Sequence, residues 1–177
     1  MKEIVSWVLD IYFKKMREPK LEELDITSTP LTTGKWCCFV TLYLNGEVRG
    51  SAGNIKEIHV SLAEELVSNT MQALTWDKRF TPITLSEAEK IQFRIDKITD
   101  KKMISLGDIK DIDPVKNGII AIHRNYEKLA TILPNMSPKI LTGDDLIPVL
   151  QNKLWEKDIN DKNHIFYSIA TTTETNY

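Results

Sequence analysis

Ile4, Val5, Val8, Leu9, Tyr12, Phe13 and Met16 recur at the spacing that puts side chains on one side of a helix. Residues 3 to about 17 are therefore predicted to form an amphipathic helix ended by Pro19. Residues 21–33 are polar and contain Pro30, which suits a connector with short extended pieces. From Trp36 the pattern changes to β-rich runs on either side of Asn45-Gly46, the strongest short hairpin signal. A two-residue loop there predicts Leu44 opposite Glu47, Leu42 opposite Arg49 and Val40 opposite Ser51. Cys38, Val40 and Leu42 would share one face and Phe39 and Tyr43 the other, a strand covered on both sides. Ser61 and Glu64 have capping-box spacing and open the clearest helix, with Leu62, Ala63, Leu66, Val67, Thr70, Met71 and Leu74 facing the hairpin. Glu64, Glu65, Ser68, Asn69 and Gln72 point mostly away from that stripe.

Trp76–Pro82 reads as an ordered loop tied down by Asp77 and Arg79, with Phe80 plugging the core. Ser86 is placed to cap a short helix, and Ile91, Phe93 and Ile95 alternate with Gln92, Arg94 and Asp96 as a half-buried strand. Residues 99–116 are charged and loop-like, with a turn at Leu106-Gly107-Asp108. Gly118–His123 predicts another buried strand, returning through Asn125-Tyr126-Glu127 to residues 128–133. A last helix near residues 145–157 turns Leu146, Leu150 and Leu154 inward and needs Pro148 in its first turn. Ile165–Ile169 is a final strand, followed by a Thr-rich tail that is frayed or loosely paired. The order of elements predicts an α+β fold, antiparallel sheets with helices packed on them, as one domain over residues 1–177.

At 177 residues, with 42% hydrophobic and 27% charged, the chain has the make-up of a soluble globular domain with a substantial core. A net charge of −2 and isolated pairs such as Lys14-Lys15 and Lys101-Lys102 give no basic footprint, so nucleic acid is an unlikely partner. Asp10 and Lys14 interrupt the N-terminal apolar run, which argues against a signal peptide, and no stretch approaches the roughly 20 apolar residues of a membrane span. Cys37 and Cys38 are adjacent on one predicted strand, point to opposite faces, and are expected to be buried thiols, as in a reducing cytoplasm.

The chemistry is sparse. His59, His123 and His164 share no short spacing with another ligand type, so no metal site or cofactor is nominated. Gly50-Ser51-Ala52-Gly53 lacks the Lys-Ser/Thr of a phosphate loop, and there is no nucleophile elbow. Gly50, Ala52 and Gly53 leave the second strand with little to pack. Two readings stand: a bulge that curves the sheet, or a ligand or partner approaching bare backbone beside Arg49 and Ser51.

Phe39-Val40-Thr41-Leu42, Asn45-Gly46-Glu47 and Arg49-Gly50 together resemble the central motif of the AMMECR-one domain family. Asp77, Arg79-Phe80 and Pro82 resemble its Asp-Pro-Arg-Phe-Pro-Pro segment. Asp113-Pro114, Gly118-Ile119-Ile120 and Leu133-Pro134 resemble its later elements. The family follows Arg-Gly with Cys-Ile-Gly, where this chain has Ser51-Ala52-Gly53. The resemblance implies the same α+β fold with a cleft beside the Arg-Gly motif; a two-lobed version of that fold would set the cleft between the lobes. It also implies a pathway shared with Memo-like and radical SAM-type proteins. On it we expect a binding or accessory module for a small anionic ligand or a protein partner. Its site residues would be Arg49, Gly50, Ser51, Gly53, Asp77, Arg79 and His123, with Arg49 forking onto a carboxylate or phosphate. The alternative is an enzyme using Ser51 with a distant base such as His59, His123 or Asp77.

Overall fold

A computed structural model describes residues 1–25 and 29–177; the predicted connector at 21–33 falls partly outside them. The elements are α1 (Lys2–Lys15), a 3-10 turn (Leu21–Glu23), α2 (Thr29–Thr32), β1 (Cys38–Leu44), β2 (Glu47–Gly53), α3 (Leu62–Thr75), α4 (Leu85–Ala88), β3 (Ile91–Ile104), a second 3-10 turn (Leu106–Asp111), β4 (Asn117–His123), β5 (Leu129–Ile132), α5 (Gly143–Leu154) and β6 (His164–Thr175). The fold is α+β, with one antiparallel sheet in the order β2-β1-β3-β6-β4-β5 among the described residues. No described helix is long and apolar enough to cross a membrane. The chain divides into two compact units, Met1–Lys97 with Thr173–Tyr177, and Ile98–Thr172.

In the first unit, Asn45 (φ 54°) and Gly46 (φ 82°) both take the left-handed turn conformation that a tight hairpin requires. Leu44 pairs with Glu47 as expected, and Tyr43 with Val48. Leu42 then pairs with Gly50, so Arg49 is the extra residue of a β-bulge and the predicted register is off by one beyond it. Val40 and Leu42 therefore face Ala52 and Gly50, not Ser51 and Arg49. Cys38, Val40, Leu42, Phe93 and Ile95 pack with α1 and α3 into one buried cluster. α1 contributes Ile4, Val5, Val8 and Phe13 to it. Met16, expected on its inner stripe, instead ends the helix in a left-handed turn (φ 52°), 74% exposed, before Pro19 is reached. Ser61 caps α3 by accepting from the Glu64 N–H, and α3 lies on the hairpin as expected. Gly50 is what allows it. A Cβ there would come 2.1 Å from the Ala73 carbonyl oxygen, so the backbone approaching this strand belongs to α3 itself.

Several sequence expectations fail for identifiable reasons. Phe80 does not plug the core: it is 36% exposed. The cap of α4 is Thr84, not Ser86, because Glu87 returns a bond to the Thr84 N–H and completes a capping box. β3 continues through the charged stretch to Ile104, an extension its polar side chains concealed. The C-terminal tail is not frayed: β6 runs to Thr175 and Asn176 exchanges two hydrogen bonds with the Phe93 backbone.

In the second unit, β4 is central to β5 and β6, and Ile119, Ala121, Ala130, Ile132 and Phe166 form a cluster with Leu146, Leu150 and Leu154 of α5. The β4–β5 hairpin turns where predicted, with Tyr126 left-handed (φ 62°). Pro148 sits one turn deeper in α5 than expected, since the helix starts at Gly143 behind a Thr142–Asp145 capping box.

Candidate functional site

β2 is an edge strand, and an edge strand presents unpaired N–H groups. The Trp76–Pro82 loop covers it. Asp77 Oδ2 accepts from the Ser51 N–H at 2.9 Å, satisfying an outward donor of the edge. The same carboxylate holds its own loop: Oδ1 accepts from the Arg79 N–H (3.1 Å) and Nε (3.0 Å), and Oδ2 from Arg79 Nη2 (2.6 Å). Burial pushes the Asp77 acid up, but these bonds from Arg79 and Ser51 outweigh it and hold the carboxyl below its usual range.

The bulge re-aims Arg49 across the other end of the loop. Its Nε donates to Glu87 Oε1 (2.7 Å) and Nη2 to Glu87 Oε2 (3.2 Å), the two-pronged fit of guanidinium to carboxylate. Nη1 and Nη2 also donate to the carbonyls of Thr81 (2.7 Å) and Pro82 (3.3 Å). Glu87 is pulled down to about 2, by Arg49 first and by the Thr84 N–H and hydroxyl after it. The Phe80 ring centre lies 6.0 Å from the Arg49 guanidinium and 5.3 Å from that of Arg79. The loop thus carries Trp76 (78% exposed), Phe80 and a half-exposed Arg79 on a backbone pinned at both ends.

The Ser51 side chain turns to the face of the sheet away from α3 and shares a hydrogen bond with Thr41 (3.1 Å between hydroxyl oxygens). The neighbouring strand continues that face with Arg94, opposite Thr41, and Asp96. Arg94 reaches Asp96 through Nε (2.8 Å) and Nη2 (2.7 Å), and Thr173 donates to the same carboxylate (2.7 Å). This row is buried, not solvated as its alternation with Ile and Phe predicted. On the α3 face, Glu65 and Asn69 are also buried, contrary to the helical reading. Glu65 Oε1 accepts from Asn54 (2.6 Å) and Asn69 (3.0 Å), and Asn69 donates to the Cys38 carbonyl (3.0 Å). Both cysteines are buried thiols; burial, against a weaker pull from Asn69, pushes Cys38 up to about 12, out of reach of thiolate chemistry at neutral pH.

Of the residues nominated from sequence, Arg49, Gly50, Ser51, Asp77 and Arg79 meet at this seam. Gly53 lies at the end of β2 under the Phe39 ring. His123 belongs to the second unit, at the end of β4, where it is paired with His164 and lies near Glu156. Glu87, Arg94, Asp96 and Glu65 escaped the sequence reading. Glu87 alone left a trace, as the third residue of a capping box after Thr84. His123, Glu156 and His164 are the group of three among the described residues able to hold a metal.

The AMMECR1 family profile matches residues 4–159. The chain belongs to the AMMECR1 family. The matched stretch contains the whole seam, from Arg49 to Glu87. Among AMMECR1 relatives, a protein of Thermotoga maritima is 31% identical over 121 residues, 67% of this chain and 68% of that protein. Protein TV1384 of Thermoplasma volcanium is 25% identical over 150 residues, 80% of this chain and 72% of its own. Protein CA_C1420 of Clostridium acetobutylicum is 31% identical over 98 residues, 55% of this chain but 20% of that protein. The AMMECR1-like fold agrees with the crystal structure of the uncharacterised protein PH0010 from Pyrococcus horikoshii. The TM-score is 0.81 at 17% identity, over 97% of this chain and 87% of that one.

Proposed function

We propose that this AMMECR1 domain is an accessory module that docks a protein partner through the Trp76–Pro82 loop, framed by Arg49, Gly50, Ser51, Asp77 and Arg79. The observation that carries the reading is the pairing of rigidity with exposure. Asp77 and Arg49 fix the loop backbone, and the loop then presents Trp76, Arg79 and Phe80 to solvent. Trp and Arg are the residue types that dominate binding energy at protein interfaces, and a loop already held in shape loses little freedom on binding. The Clostridium relative, in which the matched stretch is a fifth of the protein, is consistent with a module that works beside another domain. Memo-like and radical SAM-type proteins, implied by the family resemblance, are the partners to try. A cytoplasmic setting suits the two buried thiols.

The anionic-ligand version of this reading has less support. The Arg49 fork already holds Glu87, so an incoming carboxylate or phosphate would have to displace it. The enzymatic alternative has less again: the Ser51 hydroxyl meets Thr41, and a hydroxyl partner cannot take its proton as a base would.

Calorimetric titration of the purified chain with a Memo-like and then a radical SAM-type protein from the same genome tests the proposal. Wild type should bind one of them, and Trp76→Ala or Arg79→Ala should weaken binding by about 30-fold or more with the melting temperature retained. Binding to neither, or binding that both substitutions leave intact, contradicts it.

A further inference from the structure

The second unit brings together a set of donors that the docking loop of the first unit does not use. His123 ends β4 and His164 begins β6, and the two are direct cross-strand neighbours with ring centres 5.0 Å apart. Glu156 follows α5, delivered by the left-handed turn at Trp155 (φ 57°) and by its own N–H bond to the Gln151 carbonyl. One ligand atom from each of the three lies within 4.8 Å of the other two.

The decisive atom is His164 Nε2. His164 is 1% exposed, and Nε2 has no hydrogen-bond partner among the described residues. Glu156 Oε2 stands 2.9 Å from it but off the line along which an N–H would donate. An imidazole lone pair and a carboxylate oxygen held at that distance repel unless a cation lies near both. Two ligands of a four-coordinate zinc ion, with bonds near 2.0–2.1 Å, sit about 3.3 Å apart, close to the spacing found. The ring orientation is prepared as well. His123 Nδ1 lies 2.5 Å from the Asn125 side-chain oxygen and 3.3 Å from the Asn125 N–H; in the tautomer that donates to the oxygen, the lone pair is on Nε2. His164 Nδ1 faces both the Asn160 carbonyl at 3.3 Å and the Asn160 N–H at 3.4 Å; donation to the carbonyl leaves a lone pair on Nε2, whereas accepting from the N–H puts the ring proton there. Lys128 is the nearby competing cation. It holds Glu156 Oε1 at 2.8 Å and leaves Oε2 to the imidazoles.

We propose that His123, Glu156 and His164 bind a divalent transition-metal ion of the zinc class, with a coordination position left for water or a small donor. Two imidazoles and one carboxylate suit zinc or cobalt over calcium or magnesium, which prefer all-oxygen ligands. The site was invisible in the sequence because its three ligands come from separate elements, with no short spacing between them.

The test is equilibrium dialysis of the chelator-treated full chain against Zn²⁺, with metal content read by mass spectrometry and Co²⁺ loading read by visible absorption. The proposal expects stoichiometric Zn²⁺ and an intense four-coordinate Co²⁺ band. Both should be lost in Glu156→Gln and in His123→Ala, variants at half-buried positions chosen because His164→Ala could fail to fold. Asn125→Ala, which loosens the His123 ring without removing a ligand, should weaken Zn²⁺ by about 10- to 100-fold. Absence of stoichiometric metal, with a proton serving as the cation between His164 and Glu156, overturns the proposal. So does metal retained in full by both His123→Ala and Glu156→Gln. Neither outcome bears on Trp76 and Arg79, so this site and the docking loop stand or fall separately.

Discussion

Arg49 and Glu87 form the contact on which the seam closes, and their chemistry fixes how it responds to acid. Glu87 has an ordinary value of 4.5 and is held at about 2 in the folded chain. A depressed carboxylate favours folding fully above its unfolded value, and that contribution disappears as pH falls through the folded value. Stability should therefore decline between about pH 5 and pH 2, and Glu87→Gln should flatten part of that decline in urea titrations taken across the range. Arg49→Ala should cost about 1–3 kcal/mol at neutral pH, since it leaves a partly buried carboxylate and two carbonyls without their donor. Arg49→Lys should restore little, because an ammonium cannot span both carboxylate oxygens and the loop carbonyls together. Gly50→Ala tests the neighbouring position. Its methyl would have to push back the Ala73 carbonyl, and a loss of about 2 kcal/mol or more is expected by thermal unfolding.

At the scale of elements, β2 is an edge strand made safe by a loop, and α3 is the helix that buries its other side. Leu66 is fully buried on the inner face of α3, so Leu66→Ala should cost about 2–5 kcal/mol in denaturant titration. Ser61→Ala should cost about 1 kcal/mol through the lost cap. The existence of these elements was legible because Asn45-Gly46, the Ser61 cap and the α3 stripe are local signals. What resisted reading was set by tertiary neighbours. Gly50, Ala52 and Gly53 did signal a bulge, one of the two sequence readings, but not that Arg49 would be its extra residue and shift the register beyond it. Glu65, Asn69, Arg94 and Asp96 are buried because each finds a polar partner inside the fold (Asn54 for Glu65, the Cys38 carbonyl for Asn69, Arg94 and Thr173 for Asp96), while periodicity assigns polar residues to solvent. The site was legible to a similar degree: Arg49, Asp77 and Arg79 were found at one seam, but Glu87, which occupies the Arg49 fork, was not foreseen.

For the whole molecule, charge and core organisation point the same way. A net charge of −2 gives little for a phosphate backbone to hold, so a filter assay should find no strong, steeply salt-dependent RNA binding. Each compact unit has its own apolar cluster, one under α1 and α3 and one under α5. The docking surface proposed lies wholly in the first unit, on a loop that is pinned before any partner arrives. The most direct measurement is amide hydrogen exchange on the full chain, alone and mixed with a Memo-like or a radical SAM-type protein from the same genome. The account predicts added protection concentrated in residues 76–82 and lost with Trp76→Ala; protection confined to other segments, with this loop unchanged, would contradict it.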